Sequence, residues 1–511
     1  MSVNILNKIL KKQDLTKKIN QLKTNNKSIA LSHGVFDLLH IGHIKHFNSV
    51  KDQCDCLIVS ITSDEFVNKG PNRPYFNTNQ RAYSIASLDN VDYVVISNYQ
   101  TAEKIISLIK PNIYAKGPDY KNNQNDLTGN IYKEINSAKK YKAKIIYTAD
   151  DKYSSSSLIN KHFNKFNNEQ NSFINQIKKN YSFSQIISIF EKLNDSKILL
   201  FGETIIDEYI FCEALGKSGK EPVLVVEEKD SVKYLGGVGH IANNICSFAK
   251  NLKVFTNLGN NKKIIESTKK KFNKNAKIFS IHKKNSALNI KKRYIETNNN
   301  IKLLGVYELD SFQMLSTDEK NLIKKLQKSI NSKTTLLIID YGHNLITEKV
   351  IKKINNLKNK IIVNTQVNAS NIGYHNMNKY KNVDLFFVNE QELRYEMKDR
   401  QSKLDDLIKS FSKKNNFKEI IVTCGQKGAI YYNSRNHKFI SCPAFGSKIV
   451  DKIGSGDTML SIISLLKHNN VDISLSLFVA SIAAIQSLES MGNSKSLNKT
   501  ELLKTIDHIL S

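Results

Sequence analysis

The sequence predicts an α/β protein made of two doubly wound, parallel-sheet domains, the second carrying a small β lid. Short runs of unbroken apolarity, such as Cys56–Ile61, Leu336–Asp340 and Leu385–Asn389, alternate with stretches of helical periodicity. Buried parallel strands joined by crossover helices give that alternation. Two glycine-bearing turns, one in Ser32–Phe47 and one in Asp451–Thr458, each open a helix, where free main-chain amides gather anions. Between the halves, residues 161–180 are rich in Asn, Lys and Gln, the composition of a linker. The expected division is residues 1–160, a linker at 161–180, and residues 181–511.

Composition narrows the function classes. The 76 basic residues against 47 acidic ones give a formal charge of +29, which would suit nucleic acid or an anionic surface. The Lys excess, however, runs through the whole chain together with Asn and Ile, all three encoded by A/T-rich codons. No Arg-rich arm or basic block interleaved with aromatics stands out, so no specific nucleic-acid partner is expected. The six cysteines form no C-x-x-C pair, which fits reduced thiols. No apolar run approaches the ~18 residues of a membrane span, and Met1–Lys12 lacks a signal-type core. A cytoplasmic enzyme without a membrane partner is the expectation.

In the first half, Ile5–Lys23 has the apolar spacing of an amphipathic helix. Ser28–Leu31 then feeds the turn His33-Gly34, followed by Phe36-Asp37 and the step His40-Ile41-Gly42-His43. Gly42 permits close backbone approach, and two imidazoles add donors where charge builds on a transferring phosphoryl group. Lys116-Gly117-Pro118-Asp119-Tyr120 follows the strand Ile113–Ala115, and Ser154, Ser155 and Ser156 open a helix after Ile145–Tyr147. Lys69 and Arg73 offer cations to an anionic substrate or are simply solvated.

The stretch Gly34-x-Phe36-Asp37 with the His-x-Gly-His step resembles the Rossmann-like nucleotidyltransferases that include the cytidylyltransferases. Lys116–Tyr120 resembles the K-G-x-D-Y element of sugar-phosphate adenylyltransferases, and the serine run their phosphate-binding turn. The Arg that cytidylyltransferases place before that turn is missing. The resemblance implies in-line attack of a sugar phosphate on a nucleotide α-phosphorus, with pyrophosphate leaving. It makes His40 and His43 catalytic, with Mg²⁺ on the phosphates and ATP, or alternatively CTP, as nucleotide. Nucleotide contacts would come from Gly34, Phe36, Gly42, Lys116, Gly117, Asp119, Ser154, Ser155 and Ser156. Aminoacyl-tRNA synthetases share the histidine step, but their Lys-Met-Ser-Lys-Ser-type loop is not found here.

The second half starts with the strand Ile198–Phe201 running into Gly202–Asp207. Glu221–Glu227 looks like an exposed lid strand, and Leu235-Gly236-Gly237 leads to His240. In Asp451-Lys452-Ile453-Gly454-Ser455-Gly456-Asp457-Thr458, small residues leave amides free to hold an anion beside a carboxylate fit to take a proton. These stretches resemble the ribokinase-like (PfkB) carbohydrate kinases. The resemblance makes Asp457 the base and Gly454, Ser455 and Gly456 the anion hole. Thr423, Gly425 and Gly428 become the nucleotide turn, and Asn389 and Glu392 the indirect Mg²⁺ element. Asp207, Gly236, Gly237 and His240 fall on the sugar. It further implies a monovalent cation near Asp451 and a homo-oligomer formed through this domain. Departures stand at Ile453 and Ser455, at His240, and at Asn364-Thr365-Gln366.

Both halves together resemble the bifunctional heptose-7-phosphate kinase/heptose-1-phosphate adenylyltransferase family, with the domain order reversed. That implies a nucleotide-activated, ADP-linked sugar for a surface glycan, made in two steps. A polyol-phosphate cytidylyltransferase whose kinase-like half only binds sugar or dimerises is the alternative.

Overall fold

The computed structural model describes residues 5–67, 73–117, 130–148, 166–368, 370–446 and 451–510. The chain forms two compact units, Met1–Asn167 with Thr500–Ser511, and Asn168–Lys499.

The first unit is built on a sheet of parallel strands: β1 (Ile9–Leu10), β2 (Ile29–Gly34), β3 (Cys56–Thr62), β4 (Tyr93–Ser97), β5 (Ile113–Lys116) and β6 (Lys144–Tyr147). Their order is β1-β4-β3-β2-β5-β6. The chain leaves β2 toward β3 and β4 on one side and later returns to β5 and β6 on the other. A crevice therefore opens at the carboxyl ends of β2 and β5, where such sheets bind ligands. Alternation along the strands sends residues to opposite faces. Ile29, Leu31 and Ile58 pack with Leu15, Ile105 and Ile106, while Ala30, Leu57 and Val59 pack with Phe47 and Ile85. The expected single helix over Ile5–Lys23 is broken: Ile9–Leu10 pairs with Val94–Val95 as an edge strand, and the helix runs Lys12–Thr24. Strand pairing at a free sheet edge overrides the helical spacing of those two residues.

In the second unit, β7 (Ile198–Lys217) is shared by two sheets. Its first part lies between β9 (Leu252–Asn257), itself paired with β10 (Ala276–Ser280), and β13 (Thr335–Asp340). Its second part pairs with β8 (Leu224–Gly237) and β11 (Asn289–Glu296), and β11 pairs with β12 (Lys302–Glu308). The lid thus grows directly out of a core strand. The main sheet continues in parallel through β14 (Ile361–Thr365), β15 (Leu385–Asn389) and β16 (Glu419–Thr423). It ends in an antiparallel edge of β17 (Ala429–Asn433) and β18 (Lys438–Cys442), which the sequence did not suggest. Much of the expected linker is also structured. Asn168–Asn180 is a helix that buries Phe173, Ile174 and Ile177, apolar spacing that the polar composition hides. No helix among the described residues is long and apolar enough to cross a membrane.

Candidate active sites

In the first unit the site is assembled within a few residues of the end of β2. His40 caps the helix Ile41–Lys51, its Nδ1 accepting from the Gly42 amide at 3.1 Å. The His40 and His43 rings stack with centroids 3.8 Å apart. Phe36, held at φ 50°, sets its ring edge-on to His43 at 5.2 Å, and a Cβ on Gly34 would touch that phenyl ring at 3.0 Å. A loop is clamped onto this turn. Buried Asp37 accepts from Arg73 Nη1 at 2.8 Å and from the amides of Tyr75 and Phe76 at 2.6 and 3.0 Å. Arg81, also buried, donates to the carbonyls of Val35 and Phe76 and to Asp64.

His33 sits below the turn with Nδ1 on Ser60 Oγ, and burial, followed by the nearby Lys116 charge, lowers it to about 4. It is neutral at physiological pH. Lys116 is itself buried, 2.7 Å from Glu134. Burial of Glu134 is outweighed by Lys116 and its hydrogen bonds, so its carboxyl falls to about 2. Gly117 closes the described part of that loop. Lys69, Asp119, Ser154, Ser155 and Ser156 lie outside the described residues.

One residue here escaped sequence reasoning. His46, one helical turn beyond His43, is buried with Nε2 on Ser32 Oγ and Nδ1 on Thr148 Oγ1, each at 3.0 Å. It ties the histidine helix to β2 and to the residue after β6.

The second unit draws its site from widely separated elements. The helix Ser455–His468 starts after Gly454, at φ 83°, and presents Asp457 in its first turn. Burial raises the Asp457 carboxyl to about 7, working against the hydrogen bond it accepts from Tyr341 Oη at 3.1 Å; the Asp207 charge adds to the rise. A carboxyl near 7 is poised to exchange a proton with a substrate hydroxyl. Nothing stands within 4 Å of where a Cβ on Gly456 would be, so that side of the turn is open. Asp207 accepts from Arg293 Nη1 at 2.5 Å and from Asn493 Nδ2 at 3.1 Å. A Cβ on Gly236 would lie 2.1 Å from Asp207 Oδ2, and one on Gly237, at φ 54°, would meet the Glu203 carbonyl and the Tyr341 ring. These two glycines let β8 approach the carboxylate.

Three of the expected site elements make structural contacts of their own. His240 is buried with Nε2 near Thr458 Oγ1 at 3.1 Å and Asn244 Nδ2 at 3.0 Å, so it braces the Asp457 helix. Burial lowers it to about 4. Asn389 and Glu392 form a reciprocal capping box for the helix Glu390–Met397. Burial lifts the Glu392 carboxyl to about 8, above the lowering effect of the Asn389 amide. Asp451 takes Lys302 Nζ at 2.6 Å and the Ile453 amide on one oxygen, Tyr209 Oη and the Gly492 amide on the other. These bonds hold Asp451 with a tethered ammonium beside the expected cation position. In the nucleotide turn, Thr423 ends β16 and Gly425 faces open space, whereas a Cβ on Gly428 would lie 2.0 Å from the Cys442 carbonyl. Gly428 is required by the approach of the edge strand.

Comparison with known proteins follows the same division. Residues 195–500 match the pfkB family of carbohydrate kinases, and residues 31–162 match the cytidylyltransferase-like family. A bifunctional protein HldE from Aliarcobacter butzleri is 40% identical over 110 residues, covering 21% of this chain and 23% of that protein. Its counterpart from Campylobacter jejuni is 42% identical over 123 residues, 22% of this chain and 27% of that protein. The chain thus spans about a quarter of the length of these curated relatives. Phosphofructokinase-2 from Escherichia coli in complex with potassium shares the fold, with a TM-score of 0.51 over 62% of this chain and 99% of that one, at 14% identity.

Proposed function

We propose, starting from a chain that belongs to the pfkB family of carbohydrate kinases, that this protein carries out two successive transfers in the cytoplasm. The second unit phosphorylates the anomeric oxygen of a sugar phosphate with ATP. The first unit, within residues 1–160, joins that new phosphate to a nucleotide, with ATP favoured over CTP. The product is an ADP-linked, heptose-like sugar for a surface glycan. The order of the halves is the reverse of the bifunctional kinase-adenylyltransferase arrangement.

The observation that carries the kinase reading is Asp457, raised to about 7 at the open N-terminus of a helix. It takes the proton of the sugar hydroxyl as the oxygen attacks the γ-phosphorus of ATP, and ADP leaves. Amides of the Gly454–Gly456 turn hold the migrating phosphoryl group. Asp207 and Asn493 orient the sugar. In the other unit, the sugar 1-phosphate oxygen attacks the α-phosphorus and pyrophosphate departs, with His40 and His43 donating to the developing charge. The resemblance assigns nucleotide contacts to Lys116 and Gly117, at the end of β5, and to Asp119, Ser154, Ser155 and Ser156.

Mg²⁺ neutralises phosphate charge in such transfers. No group of three or more ligating side chains among the described residues would hold it alone. A site with few carboxyls, among them Glu392 and Asp457, fits an ion that would bind chiefly through substrate phosphates and water. Self-association is assigned to the lid, where Leu224, Val225, Leu304 and Val306 are exposed.

The test uses purified full chain, ATP, Mg²⁺ and a panel of sugar phosphates. Sugar-dependent ADP release, together with pyrophosphate release from an added sugar 1-phosphate, is expected. Pyrophosphate release with CTP and a polyol phosphate, without sugar-dependent ADP, would establish the alternative of a lone cytidylyltransferase.

A further inference from the structure

Glu203 is a buried carboxylate that no step of the two transfers uses. It stands where β7 leaves the core sheet, directly after Gly202, which pairs with Ile339 of β13. Both of its oxygens are taken up by the main chain of the turn that follows β13. Oε2 accepts from the Tyr341 amide at 2.8 Å, and Oε1 from the amides of His343 and Leu345 at 2.8 and 3.3 Å. The Gly342 amide between them goes to Asp340 at 3.1 Å. With Gly342 at φ 74° and Asn344 at φ 62°, the turn is a nest of inward-facing amides wrapped round an anion. Burial and the Asp340 charge raise the Glu203 carboxyl, against the amides that favour its charged form.

A carboxylate is costly to keep in such a place. What it fixes is Tyr341. The Tyr341 peptide is held on both sides, its amide by Glu203 and its carbonyl by Asn371 Nδ2 at 2.8 Å. The ring is backed by Gly237, where a Cβ would lie 2.9 Å from it. With backbone and ring fixed, the Tyr341 hydroxyl donates to Asp457 Oδ1 at 3.1 Å. The charges that bear on Asp457 are those of Asp207 and Lys291, so Glu203 reaches it through Tyr341.

We propose that Glu203 is a positioning residue of the kinase site: by gathering the amides of the 341–345 turn, it keeps the Tyr341 hydroxyl on the carboxylate of the base. This rests on the carbohydrate-kinase reading and adds to it a residue that touches neither substrate nor reacting atoms. A glutamine would fill the same space but has one accepting oxygen, so an amide of the turn is left facing an NH₂ group. Loss of the Glu203 charge alone would lower the proton affinity of Asp457, whereas loss of the Tyr341 hydrogen bond raises it. A positioning role and a bare charge effect therefore have opposite signs.

The experiment takes two readouts of the full chain across pH. One is the acid limb of kcat/KM for sugar-dependent ADP release; the other is infrared titration of protein carrying isotope-labelled aspartate carboxyls. The Asp457 band is the one lost in Asp457→Asn. Glu203→Gln is expected to move limb and band upward by about half to one pH unit, the scale of one hydrogen bond. Glu203→Asp keeps two oxygens and should move them less; it carries the test if the glutamine variant does not fold. In a Tyr341→Phe background, which already lacks the hydroxyl, Glu203→Gln should add no further shift. A limb and band that stay in place or move downward overturn the proposal, as does a full extra shift in the double variant. A wild type that releases no ADP with any sugar phosphate overturns the kinase reading instead, and the infrared band then decides the Glu203–Tyr341 link by itself.

Discussion

The two candidate catalytic turns are both glycine-bearing strand–helix junctions, but they are built differently. The His40–His43 turn is a local object: the cap, the ring stacking and the Phe36 contact all fall within eight residues of one another. The Asp457 turn depends on distant chain. Tyr341 follows β13, Asp207 lies on β7, Gly236 ends β8, and Asn493 comes from the C-terminal side. Local geometry can be written as a motif. Assembled geometry makes the proton affinity of Asp457 a property of the whole unit.

The largest expected effect is at the assembled site. Asp457→Asn should reduce sugar-dependent ADP release by ~10²–10⁴-fold, as loss of a general base does. Circular dichroism and thermal melting check that the fold persists. At the local site the most telling change is one step removed from the reacting atoms. His46→Ala leaves the Ser32 and Thr148 hydroxyls without their imidazole, a cost of about 1–3 kcal/mol, read as a lower urea midpoint for the first unit. Pyrophosphate release should fall with it. A variant of unchanged stability and activity would show that the His40–His43 turn needs no support from β6.

Tyr341→Phe gives the smallest change and the finest comparison. The Tyr341 hydroxyl favours the charged form of Asp457, so its removal raises the carboxyl further above about 7. The base form is then populated only at higher pH, and the acid limb of kinase kcat/KM should move upward. The pH profile of pyrophosphate release should not move, because Asp457 has no role in that transfer. An unmoved kinase limb would mean that a group other than Asp457 sets the profile.

This contrast also explains what was legible in the sequence. Both turns were visible because their glycines, histidines and aspartate fall within a few residues of one another and resemble known family motifs. Tyr341, Asn493 and His46 carry no local signal. Each acts through a partner more than 100 residues away or on another strand, as in His46 to Thr148. The Asn389-x-x-Glu392 spacing fits two purposes, and the structure shows it capping a helix. In Asn168–Asn180 the polar composition masked three apolar positions at helical spacing. The edge strand Ile9–Leu10 followed from pairing with β4, which no window of sequence contains.

The central claim is that one chain holds two separable transfer sites. The direct measurement follows ADP and pyrophosphate in parallel for Asp457→Asn and His43→Ala in the full chain with ATP, Mg²⁺, a sugar phosphate and its 1-phosphate. Asp457→Asn should lose ADP formation and retain pyrophosphate release, and His43→Ala should do the reverse, losing ~10²–10³-fold in pyrophosphate release. Loss of both activities in either folded variant would contradict the account.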